Sequence, residues 1–215
     1  QPAPLINYLS LLGWNPGDNE EIIDLKELIS KFDVLKVQKK SAVFDPKKFS
    51  WISSQYLQKE KSQSILKKIR ILNSDWGSSR KDAFCLRVID LMRPRADSIK
   101  EVMLKSNYFF NRPEILNAND QKKVWNENTE KVLKNTILFL ENIESVKDQN
   151  LEIMMKNYIE TCGFRFGEVL KPMRLAMCGS LTGPSLFDLI ELIGIKDSVD
   201  RLNHYIIKSK NKYGK

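Results

Sequence analysis

The sequence predicts an all-α protein, a multi-helix bundle or cage of two or three helical subdomains. Apolar residues recur at three- and four-residue spacing almost throughout, start and stop signals bracket the periodic stretches, and alternating strand patterns are scarce. One short extended stretch is expected near 34–43.

Along the chain, Asp18 and Glu21 read as a capping pair, followed by Ile22, Leu25, Ile29 and Phe32 on one helix face. Asp45-Pro46 marks a second start, because proline suits the first helical position, and it leads into Phe49, Ile52 and Tyr56. Ile65, Ile69 and Leu72 form a further stripe, and Ser79 opens a helix with Phe84, Val88 and Leu91 inward. Asp97 is expected to cap a helix carrying Ile99 and Val102. A long helix over 120–143 buries Trp125, Leu133, Ile137 and Leu140. Leu151, Met155 and Tyr158 follow, then Val169, Leu170 and Met173. Leu186, Leu189, Ile190 and Ile193 make a helix that Gly194 can end, and a last one starts near Asp197-Ser198 with Val199, Leu202 and Ile206 inside. Candidate joints lie at 73–79 and 107–119.

The 215 residues suffice for one large domain or a few small ones, and the composition is globular at 42% hydrophobic and 29% charged. No apolar run reaches the ~18 residues a bilayer-spanning helix needs. A chain opening at Gln1 without a charged-then-apolar leader reads as a fragment. Cys85, Cys162 and Cys178 are odd in number and widely spaced, which suits free thiols in a reducing cytoplasm. With no CxxC and His204 as the only histidine, a dedicated metal site is not expected.

The net charge of +8 is concentrated. Between residues 36 and 70 stand Lys36, Lys39, Lys40, Lys47, Lys48, Lys59, Lys61, Lys67, Lys68 and Arg70, opposed only by Asp45 and Glu60, so the rest of the chain sums to zero. Concentrated charge costs self-repulsion and is useful against a polyanion, where each neutralised phosphate releases counterions. A solvated surface accounts for a charge run equally well. Trp51, Tyr56, Trp76 and Phe84 are interleaved and could stack on bases, although aromatics at helical spacing are more often core.

Catalytic signatures are missing. There is no GxGxxG, GxxxxGK[ST] or HExxH, and adjacent carboxylates such as Glu20-Glu21 read as acids of a first helical turn. His204 sits among lysines near the tail and reads as a surface residue.

Three segments in register carry a resemblance: residues 5–14 (LINYLSLLGW), 42–51 (AVFDPKKFSW, followed by Gln55-Tyr56) and 181–194 (LTGPSLFDLIELIG). Together they resemble the C-terminal, anticodon-binding half of bacterial-type glutamyl-tRNA synthetases, class I aminoacyl-tRNA synthetases. The resemblance implies an all-α cage with a stem-contact helical segment (1–57), a first anticodon-binding helical domain (58–108) and a second (109–215). It implies glutamate tRNA as partner, a monomer, a cytoplasmic location and no membrane. The HIGH-like and KMSKS-like catalytic elements are not found, and 36–41 (KVQKKS) precedes the second segment, the wrong place for the loop. This portion is therefore expected to have no catalytic residues and no cofactor, ATP being bound by the catalytic half.

For site residues, the resemblance points to Arg93 or Arg95 as the arginine that reads anticodon bases, since a planar fork can bond a base edge twice. A phosphate contact or a solvated loop position is the structural alternative. The turn holding Gly183, Pro184 and Leu186 matches a loop that packs on the last anticodon base, the alternative being a plain helix start with Ser185 as cap and Leu186 as core. Lys36, Lys39, Lys40, Lys47, Lys48, Lys67, Lys68 and Arg70 are the expected tRNA backbone contacts, while Phe44, Phe49 and Trp51 are expected in the core. The rival reading is a basic helical protein-interaction module without base specificity, and a general single-stranded RNA binder is a third.

Overall fold

The structure, a computed structural model, describes residues 1–17, 20–39, 41–143 and 150–213, residue 213 by its backbone alone. Asp18 and Lys40 lie outside the described residues. Helices α1 to α13 and two 3-10 turns make up the regular structure, with no strand among the described residues. The expected extended stretch is a 3-10 turn, Val34–Lys36, followed by exposed irregular chain. The described residues form two compact units, 1–106 and 107–215, divided at the start of the second expected joint.

In the first unit, α1 (Pro2–Leu11) and α3 (Pro46–Lys59) pack together, and α4 (Ser62–Leu72) packs on α5 (Asp82–Met92) and α6 (Ile99–Lys105). The boundary expected after residue 57 falls inside α3. Asp45 caps α3 as the sequence predicts, accepting from the Lys47 and Lys48 amides at 2.8 and 3.2 Å. The Tyr8 hydroxyl accepts the Asp45 amide at 2.6 Å, fixing that helix start against α1. The fully enclosed side chains include Tyr8, Ile52, Ile65, Ile69, Val88, Ile89 and Val102.

Four local expectations give way here. Helix α2 (Leu25–Lys31) starts at Asp24, whose carboxylate accepts the Glu27 amide, so Leu25 and Ile29 turn outward while Ile23 and Leu28 pack on Trp14. Leu72, in the last turn of α4, is exposed. Helix α5 begins at Asp82, not Ser79, which rotates Cys85 inward and leaves Phe84 half-buried under the Arg80 guanidinium. Ser98, not Asp97, caps α6 by accepting the Glu101 amide at 3.2 Å.

The second unit is built on three mutually packed helices, α9 (Thr129–Glu141), α11 (Phe166–Cys178) and α13 (Ile195–Tyr213), introduced by the short α7 (Asn107–Phe110). Helices α8 (Ala118–Val124), α10 (Leu151–Thr161) and α12 (Leu186–Ile193) pack on α11. The single long helix expected over 120–143 is broken at 125–128. Asn126 and Asn128 compete with the helix ladder there: the Asn126 side chain accepts the Asn128 amide, and the Thr129 hydroxyl donates to the Val124 carbonyl. Ser185 caps α12 and Gly194 (φ +94°) closes it, as the sequence predicts.

His204, on α13, has a buried Nε2 without a hydrogen-bond partner among the described residues. Burial pushes its imidazole below the ordinary value near 6.5, with Arg112 and Lys208 adding to the effect; Glu114, 3.9 Å away but two-thirds exposed, opposes them without winning. The unfolded chain therefore takes up a proton first as the pH falls through 6.5, and stability declines from there towards the lowered folded-state pKa. The loss of melting temperature between pH 7.5 and 5.5 should be smaller in His204→Gln than in the unaltered chain; equal losses would remove His204 as its cause.

Candidate nucleic-acid interface

In the first unit, Lys36 ends the 3-10 turn and Lys39 lies in the exposed chain after it. Lys47 and Lys48 occupy the first turn of α3, where cations oppose the helix dipole. Glu21 offsets this for Lys48 at 2.6 Å, whereas exposed Lys47 makes no ion pair among the described residues. On α4 the apolar face of Ile65, Leu66 and Ile69 is buried, and Lys67, Lys68 and Arg70 stand outward. Lys68 pairs with Glu60 and Arg70 with Asp82, each at 2.5 Å. Burial works to raise the Glu60 carboxyl, but Lys68 and the Ser64 hydroxyl outweigh it and hold its pKa below the usual range. The Arg70–Asp82 pair, exposed on both sides, contributes about 0–1 kcal/mol and parts more easily for a competing phosphate than Lys68–Glu60, whose carboxylate is only 16% exposed. Lys36, Lys39, Lys47 and Lys67 are exposed and make no ion pair among the described residues.

The aromatic side chains divide differently from expectation. Phe49 is half-buried, and Phe44 packs edge-on against Tyr8 at 5.0 Å while keeping half its surface exposed. Trp51 is 44% exposed, which corrects its assignment to the core. Trp76 is buried and donates to the Ser106 hydroxyl at 3.2 Å, so it is no stacking platform.

Arg93 and Arg95 bracket Pro94 in the 3-10 turn Arg93–Arg95, directly after α5. Their environments differ. Arg93 is only 25% exposed and its Nη1 donates to the Glu60 carbonyl at 2.6 Å, whereas Arg95 is exposed, with Nη1 donating to Leu91 O at 3.0 Å.

In the second unit, the turn from Gly179 to Ser185 leads from α11 to α12. Gly179 ends α11 at φ +76°, and a Cβ there would stand 2.9 Å from the Ile115 carbonyl, so both its conformation and its space demand glycine. Arg174 Nη1 donates to the Pro184 carbonyl at 2.6 Å. A Cβ on Gly183 would meet Cys178 Sγ at 3.2 Å, a tight contact that glycine avoids. Burial pushes the Cys178 thiol up to about 11, so it packs as a neutral group. Pro184 and Leu186 are buried in the unit's own core. The apolar surface expected of them is thus turned inward, because Leu186 is the first inward position of α12; the turn presents exposed Thr182 beside half-buried Gly183 and Ser185.

Sequence reasoning missed two arginines, one that holds this turn and one that holds the end of α11 before it. Arg174 binds it directly, and Arg201, 1% exposed, donates to the carbonyls of Tyr108 (2.6 Å) and Met177 (3.2 Å) and pairs with Asp197. The Asp197–Arg201 spacing of four was the available signal, but it reads as an ordinary surface helix pair.

The fold has close counterparts. It superposes on the crystal structure of a glutamate tRNA ligase from Elizabethkingia meningosepticum in complex with its amino acid, with a TM-score of 0.87 and 31% identity, covering 96% of this chain and 41% of that one. In sequence it is 35% identical to the glutamate–tRNA ligase of Flavobacterium johnsoniae over 95% of its length, and 33% identical to that of Porphyromonas gingivalis over the same share. The chain spans 41% of the length of each of these two ligases. The family profile described as "anticodon binding domain" matches residues 59–206, more than half of the chain, and the chain belongs to that anticodon-binding domain family.

Proposed function

We propose that this chain is the anticodon-recognition portion, the C-terminal half, of a glutamate–tRNA ligase, and that its partner is glutamate tRNA. The observation that carries this is the alignment of 95% of the chain with glutamate–tRNA ligases, at an identity that extends into a matching fold. The whole protein would ligate glutamate to its tRNA with ATP, in the cytoplasm and as a monomer. The catalytic elements and the ATP site would belong to the part of the ligase outside these residues.

The exposed cations of 36–70 supply a sequence-independent hold on phosphates, and a few base contacts supply the specificity. Of the two candidate arginines, Arg95 suits base reading, because it is exposed although its Nη1 bonds Leu91 O, whereas Arg93 is only 25% exposed and seated on the Glu60 carbonyl. Gly183 and its exposed neighbour Thr182 would meet the last anticodon base through backbone and hydroxyl groups, with Pro184 and Leu186 supporting the turn from behind.

The test is a titration of the chain with glutamate tRNA and with an anticodon variant of it, at two salt concentrations. Arg95→Ala is expected to lower the preference for the native anticodon by about 5- to 150-fold, the worth of one bidentate base contact at ~1–3 kcal/mol. Equal, strongly salt-dependent binding of both RNAs by the unaltered chain would leave a basic surface and remove the anticodon reading.

A further inference from the structure

The turn Arg93–Arg95 is held by charged side chains that donate to main-chain carbonyls. On one side, Arg93 Nη1 donates to the carbonyl of Glu60, the residue that closes α3, and Nη2 lies 3.8 Å from the Asp90 carboxylate at the end of α5. On the other side, Lys105 of α6 donates its ammonium to the Arg95 carbonyl at 3.1 Å and pairs with Glu101 at 2.9 Å. Glu101 completes the frame by accepting the Asp97 amide at 3.0 Å, and that amide together with Lys105 holds its carboxyl below the usual range. Pro94 fixes φ inside the turn, and Ala96 after it is 2% exposed. Groups from α3, α5 and α6 thus brace the turn that carries the exposed Arg95.

We infer that Arg93 and Lys105 are positioning residues that preorganise Arg95 for the anticodon. This rests on the proposed reading of Arg95 and adds two residues that touch no RNA. A phosphate contact needs only a charge at roughly the right depth, and Lys67 on the open face of α4 is of that kind. Two parallel bonds to a base edge demand more: the fork must sit within about 0.5 Å of its place, on an element that does not yield. Arginine is also among the side chains with the most rotamer freedom to lose, so a fixed Cα and a seated Nη1 reduce the ordering that binding requires. Arg93 is the poorer reader in this arrangement, because it is only 25% exposed and its guanidinium lies between the Glu60 carbonyl and Asp90.

A positioning residue acts through the residue it positions, and a double-mutant cycle detects that. The measured quantity is the ratio of Kd for an anticodon variant to Kd for native glutamate tRNA, at fixed salt. It is taken for the unaltered chain, Arg93→Ala, Lys105→Met, Arg95→Ala and the two doubles with Arg95→Ala, with the melting temperature of each. Arg93→Ala and Lys105→Met are each expected to lower the ratio about 5-fold, and neither is expected to lower it further once Arg95 is alanine. Arg93→Lys, which keeps one donor near the Glu60 carbonyl, should recover part of the ratio. Unchanged ratios in both single variants overturn the positioning role. So does an equal loss with and without Arg95, which would mean that Arg93 or Lys105 contacts the RNA itself. An unaltered chain with no anticodon preference instead overturns the reading on which the role rests, so the two failures are distinct.

Discussion

Arg201→Met should destabilise residues 107–215 by about 3 kcal/mol, among the largest single-residue effects expected in the chain. The side chain is 1% exposed and its guanidinium serves three partners: the carbonyl of Tyr108 in α7, the carbonyl of Met177 near the end of α11, and the Asp197 carboxylate one turn back on α13. Methionine refills most of the volume of the arginine stem, so the change removes bonds more than packing. Each buried carbonyl left without a donor costs ~1–3 kcal/mol. Asp197 contributes less, because a third of its side chain already reaches water. The Met177 carbonyl stands two residues before Gly179, so the loss reaches the turn that Arg174 holds at Pro184. Urea denaturation measures the total, and amide hydrogen exchange shows whether the opening starts at 177–185. Asp197→Asn, which leaves both carbonyls satisfied, should cost about 1 kcal/mol. A loss below 1 kcal/mol for Arg201→Met would mean that water reaches those carbonyls, and the site would not be sealed.

What the sequence revealed of this fold follows the range of each signal. Asp45-Pro46, Ser185 and Gly194 mark helix ends through bonds made within four residues, and each stands where expected. Periodicity placed the buried stripes of α9 and α12, and that of α4 up to its last turn, where Leu72 is exposed. It misplaced Leu25 and Ile29, since Asp24 makes a better start than the earlier acids and sets a different phase, one in which Ile23 and Leu28 meet Trp14. The break at 125–128 was hidden because Asn126 and Thr129 act on the backbone through local bonds that leave the apolar spacing intact. The candidate site was legible where charge alone defines it, in the exposed lysines of 36–70. It was not legible where geometry does. Composition cannot tell Arg93 from Arg95, and the bond to Glu60, thirty-three residues away, is what separates their surroundings. Leu186 matched a base-facing position by motif, yet the cap at Ser185 fixes the helix phase that turns it inward.

In the first unit, Asn7→Ala should cost about 3 kcal/mol, comparable with Arg201→Met, although asparagine is polar and helical periodicity does not mark it as core. Asn7 is 1% exposed on α1. Its amide nitrogen donates to the Glu21 carbonyl at 3.0 Å and its carbonyl oxygen accepts the Ile23 amide at 2.9 Å. The irregular chain leading into α2 has no helix ladder of its own there, so this one side chain stands in for a neighbouring strand. Tyr56 of α3 completes the joint, its hydroxyl donating to the Ile23 carbonyl at 2.6 Å. Burial raises the Tyr56 pKa, with Asp24 adding to it, so the hydroxyl keeps its proton at neutral pH. Alanine would leave the buried Ile23 amide and the Glu21 carbonyl unpaired and open a small void. Asn7→Asp separates these effects. The introduced carboxylate still accepts the Ile23 amide but sets an oxygen against the Glu21 carbonyl, and protonation restores the missing donor. Its folded-state pKa should therefore lie above the unfolded value, and the variant should recover stability relative to the unaltered chain as the pH falls through that raised value. Urea midpoints for the three proteins at pH 7.5 and pH 5 check this directly. If Asn7→Asp fails to recover on acidification while Asn7→Ala stays destabilised, the Glu21 bond contributes little, and the Ile23 amide carries the joint.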